Sequence, residues 1–175
     1  QLLLATAAAL AARIPEPHGA GLVAAASAIS AFLLGDWEHA LELAASAETT
    51  LRERCTGVGW ELSTSLLFGL WSLYHLGRLR ELARRVADQL REAEARGNRY
   101  MATNMQVGLC NVAWLVGDSP DTARAMAKEG MRLWSRDGFQ MQHYYELLAY
   151  GQIDLYDGRA LEGHQRLMAR WKELE

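Results

Sequence analysis

Only three prolines and two cysteines occur in this 175-residue chain. So few prolines leave little to interrupt a helix, and alanine, leucine, glutamate and arginine dominate, so helix is favoured throughout. No segment alternates Val, Ile or Thr with polar residues as a half-buried strand does. Cys55 and Cys110 stand far apart and lack metal-ligand spacing, which reads as two free thiols in a reducing, cytoplasmic compartment. No uninterrupted apolar run approaches the ~18 residues of a membrane span. A formal charge of −3 lacks the basic excess that would draw nucleic acid or an anionic membrane. Also missing are the kinase Gly-rich loop, a catalytic His-Arg-Asp string, Asp-Phe-Gly and a Gly-Lys-Ser/Thr phosphate loop. The expectation is a segment without catalytic residues, cofactor or metal, and without nucleic-acid or membrane partners.

What is present is a repeat. Leu34-Gly35-Asp36-Trp37, Leu76-Gly77-Arg78-Leu79, Val116-Gly117-Asp118-Ser119 and Asp157-Gly158-Arg159-Ala160 place glycines 42, 40 and 41 residues apart. Gly57, Gly97 and Gly138 interleave, 40 and 41 apart. An internal period of about 41 predicts an all-α fold of stacked antiparallel helix hairpins, an α-solenoid. Each turn glycine, Gly77 and Gly117 included, is expected to adopt the left-handed conformation that ends a helix, with Asp36 and Asp118 capping the helix that follows.

The reading is a single helical-repeat domain over 1–175. Residues 1–14 form the second helix of a truncated repeat, closed by Pro15 and Pro17, with a loop continuing through Gly19 and Gly21. The repeats then cover 20–57, 58–98, 99–138 and 139–175. Helix A and helix B run over about 20–34 and 36–54, 58–76 and 78–96, 99–116 and 120–136, and 140–156 and 159–174. The A helices are apolar on most sides. The B helices are amphipathic, with Leu79, Leu82, Ala83, Val86 and Leu90 on one face and charge on the other, so A helices form the inner layer. The first residue is Gln1, inside an apolar run, and the last lie in helical sequence, which reads as a piece of a longer protein.

Gly35-Asp36-Trp37-Glu38-His39-Ala40-Leu41-Glu42 resembles the turn of a tetratricopeptide repeat, in which a small residue stands five after the glycine. Ala40 and Gly163 keep that residue, Leu82 departs from it, and the third repeat needs one extra residue to reach Ala123. A second resemblance runs from Leu51 onward. It is carried by Leu51-Arg52-Glu53-Arg54-Cys55-Thr56-Gly57-Val58-Gly59-Trp60-Glu61-Leu62, Tyr100-Met101-Ala102-Thr103-Asn104, Leu109-Cys110-Asn111-Val112-Ala113-Trp114-Leu115, Gln142-His143-Tyr144-Tyr145 and Gln152-Ile153-Asp154-Leu155-Tyr156. These strings look like the C-terminal helical-repeat region of large bacterial signalling proteins that join a serine/threonine protein kinase domain to an ATPase domain. The resemblance implies a right-handed array and a parent that phosphorylates or senses.

Two groups of residues are candidates for a partner site. Thr64, Asn104 and Tyr145 stand thirteen before a turn glycine, and Trp71, Asn111 and Gln152 stand six before it. Seven residues is almost two helical turns, so both sets share one face. That polar stripe is either a groove floor or a set of amide cross-links inside the core. Trp60, Tyr100, Tyr144 and Tyr145 cluster near the starts of A helices, where exposed aromatics would anchor a partner and buried ones would pack. His143 and Glu146 share a helix face, but a metal would need further ligands. Two functions follow. One is a non-catalytic module that binds a peptide, a partner domain or the parent's own kinase or ATPase on the concave face of the A helices. The other is a small-ligand sensor that regulates the attached ATPase or kinase.

Overall fold

Every regular element in the computed structural model, which describes residues 2–174, is a helix, and no strand occurs among the described residues. The chain divides into two units, the first ending at Gly77 and the second beginning at Arg78. The division falls at a turn within the predicted 58–98 hairpin.

The first unit comprises α1 (Leu2–Ala11), α2 (Pro17–Leu33), α3 (Trp37–Arg54) and α4 (Gly59–His75). α2 and α3 form a hairpin, α4 packs against both, and α1 lies on α2. The buried stripe is made of small residues: Ala25, Ala28 and Ala31 on α2, and Ala40, Ala44 and Ala47 on α3. Small side chains let helix axes approach closely. A Cβ on Gly69 would sit 3.3 Å from Ala44 Cβ, and one on Gly21 only 2.7 Å from Leu51 Cδ2. Leu51, Leu67, Leu70 and Leu73 fill the remaining space. Burying each contributes about 1.5–3 kcal/mol. The expected loop through Gly19 and Gly21 is absent, because α2 begins at Pro17. Proline suits a first helical position, where its missing N–H costs no bond.

The second unit comprises α5 (Leu79–Ala95), α6 (Arg99–Gln106), a 3₁₀ turn (Gly108–Asn111), α7 (Val112–Leu115), α8 (Pro120–Arg132), α9 (Met141–Tyr156), α10 (Ala160–Ala169) and α11 (Trp171–Leu174). α5 buries Leu82, Val86 and Leu90 of the predicted face together with Ala93, while Leu79 and Ala83 are half-buried. It packs on α6 and α7, α8 packs on α6 and α9, and α10 packs on α9.

Three expectations are corrected in this unit. The helix expected over 99–116 is broken. α6 stops at Gln106, Val107 is extended (φ −123, ψ 176), and Gly108 takes φ +62 before the 3₁₀ turn. The glycine is required there, since a Cβ would meet Tyr145 Cβ and Cγ at 3.2 Å. The helix expected to reach 136 stops early, with α8 ending at Arg132, and the helix expected over 159–174 is interrupted at Arg170, between α10 and α11.

The third correction concerns the 116–119 turn. Gly35, Gly77 and Gly158 have positive φ as expected, but here the left-handed residue is Asp118 (φ +53) and not Gly117. Asp118 does not cap α8. Its Oδ1 accepts from Tyr156 Oη at 2.6 Å, and Ser119 is the residue that precedes the helix. Asp36 does cap α3, accepting from His39 N at 3.4 Å. Counted from the left-handed residue, the intervals become 42, 41 and 40 (35, 77, 118, 158). Ala40, Leu82, Ala123 and Gly163 then all fall five residues later, so the extra residue of the third turn is explained.

These geometries give opposite expectations for two glycines. Gly108→Ala is expected to destabilise by about 1–2 kcal/mol from its backbone conformation, and further from the Tyr145 contact. Gly117→Ala is expected to be neutral or to stabilise by up to about 1 kcal/mol, because its backbone suits any residue. Chemical denaturation of both variants checks this, and equal losses would contradict the assigned turn.

Candidate functional site

The break in α6 organises the predicted site residues of the second unit. An interrupted helix leaves carbonyls unpaired, and a buried carbonyl needs a donor. Asn111 provides it: its fully buried Nδ2 donates to Gln106 O at 2.7 Å and to Ala123 O on α8 at 3.0 Å. Asn104 is also buried and donates to Tyr100 O, 2.7 Å away in its own helix. Thr103 Oγ1 donates to Gly130 O at 3.0 Å, tying α6 to α8. Because the helix is interrupted between them, Asn104 and Asn111 do not lie on one continuous face. Both amides are spent on backbone carbonyls.

The tyrosines lie at the edge of this break. Tyr145, on α9, is half-buried and packs its ring base against Gly108. Burial pushes its phenol up to about 12, and the neighbouring Tyr100, Tyr144 and Cys110 add to the rise. Tyr144 lies beside it, the ring centroids 5.7 Å apart. Tyr144 and Tyr100 remain open, 42% and 38% exposed. The structure therefore brings Tyr100, Tyr144 and Tyr145 together as one aromatic edge with a fixed base. Gln152 is half-buried further along α9. Trp60 and Thr64 belong to the first unit, one turn apart at the start of α4, Trp60 exposed and Thr64 half-buried.

Sequence reasoning missed an aromatic ladder in the first unit. Phe32 of α2 meets Phe68 and Trp71 of α4 at 5.2 and 6.1 Å, and those two meet each other at 5.0 Å. His75 ends the ladder, stacked on Trp37 at 4.7 Å. All but the exposed His75 are half-buried. The signal was available, since Phe68 and Trp71 are one turn apart and Phe32 stands just before the first turn.

Sequence reasoning also missed a buried charge. Asp154 has no exposed surface, and its Oδ1 accepts from Arg124 Nη1 at 2.9 Å. Its Oδ2 accepts from Arg166 Nη2 and Nε at 3.2 and 3.3 Å. Arg124 also reaches Asp157, which Arg159 bonds at 2.6 Å. Gly163 packs closely opposite: a Cβ there would lie 3.1 Å from Asp154 Cβ. A mixed-sign charge run reads as a solvated face, so Arg166 gave no hint of turning inward.

His143 and Glu146 do share a surface. Both line a cleft of about 550 Å³ with Trp134, Phe139, Arg170 and Glu173. Buried His143 accepts the Gln140 N–H at Nδ1 (3.0 Å), and Trp134 Nε1 donates to Gln140 Oε1 (2.8 Å). The imidazole thus closes the start of α9. Among the described residues no group of three His, Cys, Asp or Glu side chains is placed to hold a metal, and no helix is long and apolar enough to cross a membrane.

No family model, curated protein or solved structure matches the chain.

Two measurements check the geometry at the break. Asn111→Ala leaves the Gln106 carbonyl without a donor and removes a second bond to Ala123 O, and is expected to cost about 1–3 kcal/mol in a denaturant melt. An unchanged melt would remove Asn111 from the core. For Tyr145 the folded state holds its phenolic proton more tightly than the unfolded chain, whose ordinary value is 10.0. That contribution to stability is complete below pH 10 and is lost as the pH rises towards about 12. Tyr100, Tyr150 and Tyr156 are also raised, so an ultraviolet absorbance titration should show several late-ionising phenols, the last of which Tyr145→Phe removes.

Proposed function

We propose that this chain is a non-catalytic interaction module, a tetratricopeptide-like, right-handed α-solenoid of hairpins of about 41 residues, within a cytoplasmic bacterial signalling protein that joins a serine/threonine kinase to an ATPase. It binds a peptide, a partner domain or the parent's own kinase or ATPase domain through the exposed faces of the A helices. The repeat reading is supported by the left-handed residues 35, 77, 118 and 158 and by the residues five after each.

The observation that carries the binding reading is the tyrosine edge. Tyr100 and Tyr144 stand open while Tyr145 behind them is wedged against Gly108. Aromatics held rigidly at an accessible edge lose little freedom on binding and are the residue type most often responsible for affinity. The half-buried ladder of Phe32, Phe68 and Trp71 offers a similar surface in the first unit.

The test is a purified partner, recovered with the intact parent, titrated against variants of this chain. Tyr144→Ala is expected to weaken binding about tenfold or more while the melt shifts by less than about 0.5 kcal/mol. Arg84→Ala, exposed on α5, is expected to leave binding unchanged. Undiminished binding by Tyr144→Ala and by a Tyr100→Ala, Tyr144→Ala double variant would refute this assignment.

A further inference from the structure

α10 contributes no buried residue, yet it is fastened to α9. Two arginines one turn apart do the fastening. The Arg166 guanidinium lies 4.9 Å over the Tyr150 ring and bonds Asp154. The Arg170 guanidinium, just past the helix end, lies 5.3 Å over the Phe139 ring, and its Nε bonds Glu173 Oε2 at 2.6 Å.

Arg170 and Phe139 are walls of the cleft that also holds His143, Glu146 and Trp134. The cleft's charged side chains are Arg136, Arg170, Glu146 and Glu173, which balance while His143 is neutral. Without the Arg170 side chain the remainder carries one net negative charge, in a lining that includes the Phe139 and Trp134 rings and two carboxylates. A guanidinium suits that setting better than an ammonium does, because its flat face stacks on a ring while its edge forks onto a carboxylate. Arg170 itself lies over the Phe139 ring and brings Nε and Nη2 to one carboxylate oxygen, Glu173 Oε2. Glu173 and Glu146 together hold its proton more firmly than usual, the bond to Glu173 contributing most. A cleft of about 550 Å³ is within the usual size of a ligand site.

We propose that this cleft is a guanidinium-binding site, filled by the chain's own Arg170 and able to exchange it for the guanidinium of an incoming ligand. The same chemistry is offered by a free arginine-like molecule and by an arginine side chain of a peptide. The site is separate from the tyrosine edge, and the inference goes beyond the interaction reading.

Agmatine and an N-acetyl, C-amidated Gly-Arg-Gly peptide are the probes, titrated into the full 175-residue chain and followed by NMR at the Trp134 indole and the Arg170 Nε–H. In the unsubstituted chain, saturation is expected to move the Arg170 Nε–H to its solvated position while that of Arg166 stays. Arg170→Gln is expected to bind agmatine about tenfold tighter, and adding Glu146→Gln should remove most of that gain. Cadaverine, which ends in ammonium groups, should bind about fivefold more weakly than agmatine. Tighter binding of the peptide marks a protein source for the ligand, and tighter binding of agmatine a small-molecule source. Equal affinity with and without Arg170, or cadaverine matching agmatine, would overturn the proposal. If Arg170→Gln does not fold, the Arg170 resonance in the unsubstituted chain decides alone, and its failure to move at saturation would also overturn it.

Discussion

Each helix end in this protein has to dispose of backbone groups that the helix itself cannot pair, and that constraint determines most of what the sequence shows. At the hairpin ends a left-handed residue folds the chain back so that the next N–H reaches a carbonyl inside the last turn: Asp36 N to Ala31 O, Ser119 N to Trp114 O, Arg159 N to Asp154 O. The same demand arises inside the second unit, where α6 stops among buried residues. The 3₁₀ turn that follows leaves the Gln106 carbonyl without a backbone donor, so a side chain takes over, and Asn111 joins the loose end to α8. Fixing that break fixes Gly108, and Gly108 fixes how closely Tyr145 approaches. The exposed tyrosine edge therefore rests on an amide three residues beyond the glycine.

The two units meet the cost of burial differently. The first packs alanine and glycine stripes, so its helices come close and little polar surface is trapped. The second packs larger and more polar side chains, and it has to satisfy them. Thr103, Asn104, Asn111 and Asp154 are all buried and each makes hydrogen bonds, although Asn111 Oδ1 is buried without a partner. Towards α10 the apolar contribution falls away and arginine stacking replaces it. A helix held by two guanidiniums over two rings is attached by contacts that a ligand of the same chemistry can replace. A helix held by a leucine stripe offers no such exchange.

Much of the helix order could be read from the residues alone, because glycine spacing and apolar periodicity are local signals. The faces of α5 and the ends of α3, α4 and α5 came within a residue or two for that reason. The failures share a cause: they depend on a second segment. Near Val107 only Gly108 hints at a break, and Gly69, Gly130 and Gly151 stand inside unbroken helices, so a lone glycine does not announce one. Gly108 is decided by Tyr145, which is 37 positions away. Gly117 looks like its counterparts, and only the three-dimensional turn shows that Asp118 has taken the left-handed position, with Tyr156 holding its carboxylate. Asp154 reads as a surface acid until Arg124 and Arg166 arrive from two other helices.

The same dependence separates the candidate residues by role. Asn104 and Asn111 look like a recognition stripe because a polar residue inside an apolar helix invites that reading. A buried amide, however, answers first to the carbonyls around it, and both find theirs within the unit. Tyr144 and Tyr100 have no comparable obligation, since their rings reach solvent while their bases are backed by Tyr145. Recognition capacity in this unit therefore belongs to side chains that the fold holds in place without using up their faces. The cleft obeys that rule too: Phe139 keeps its ring face for a guanidinium, while His143, which closes the start of α9, has already given its Nδ1 to the backbone.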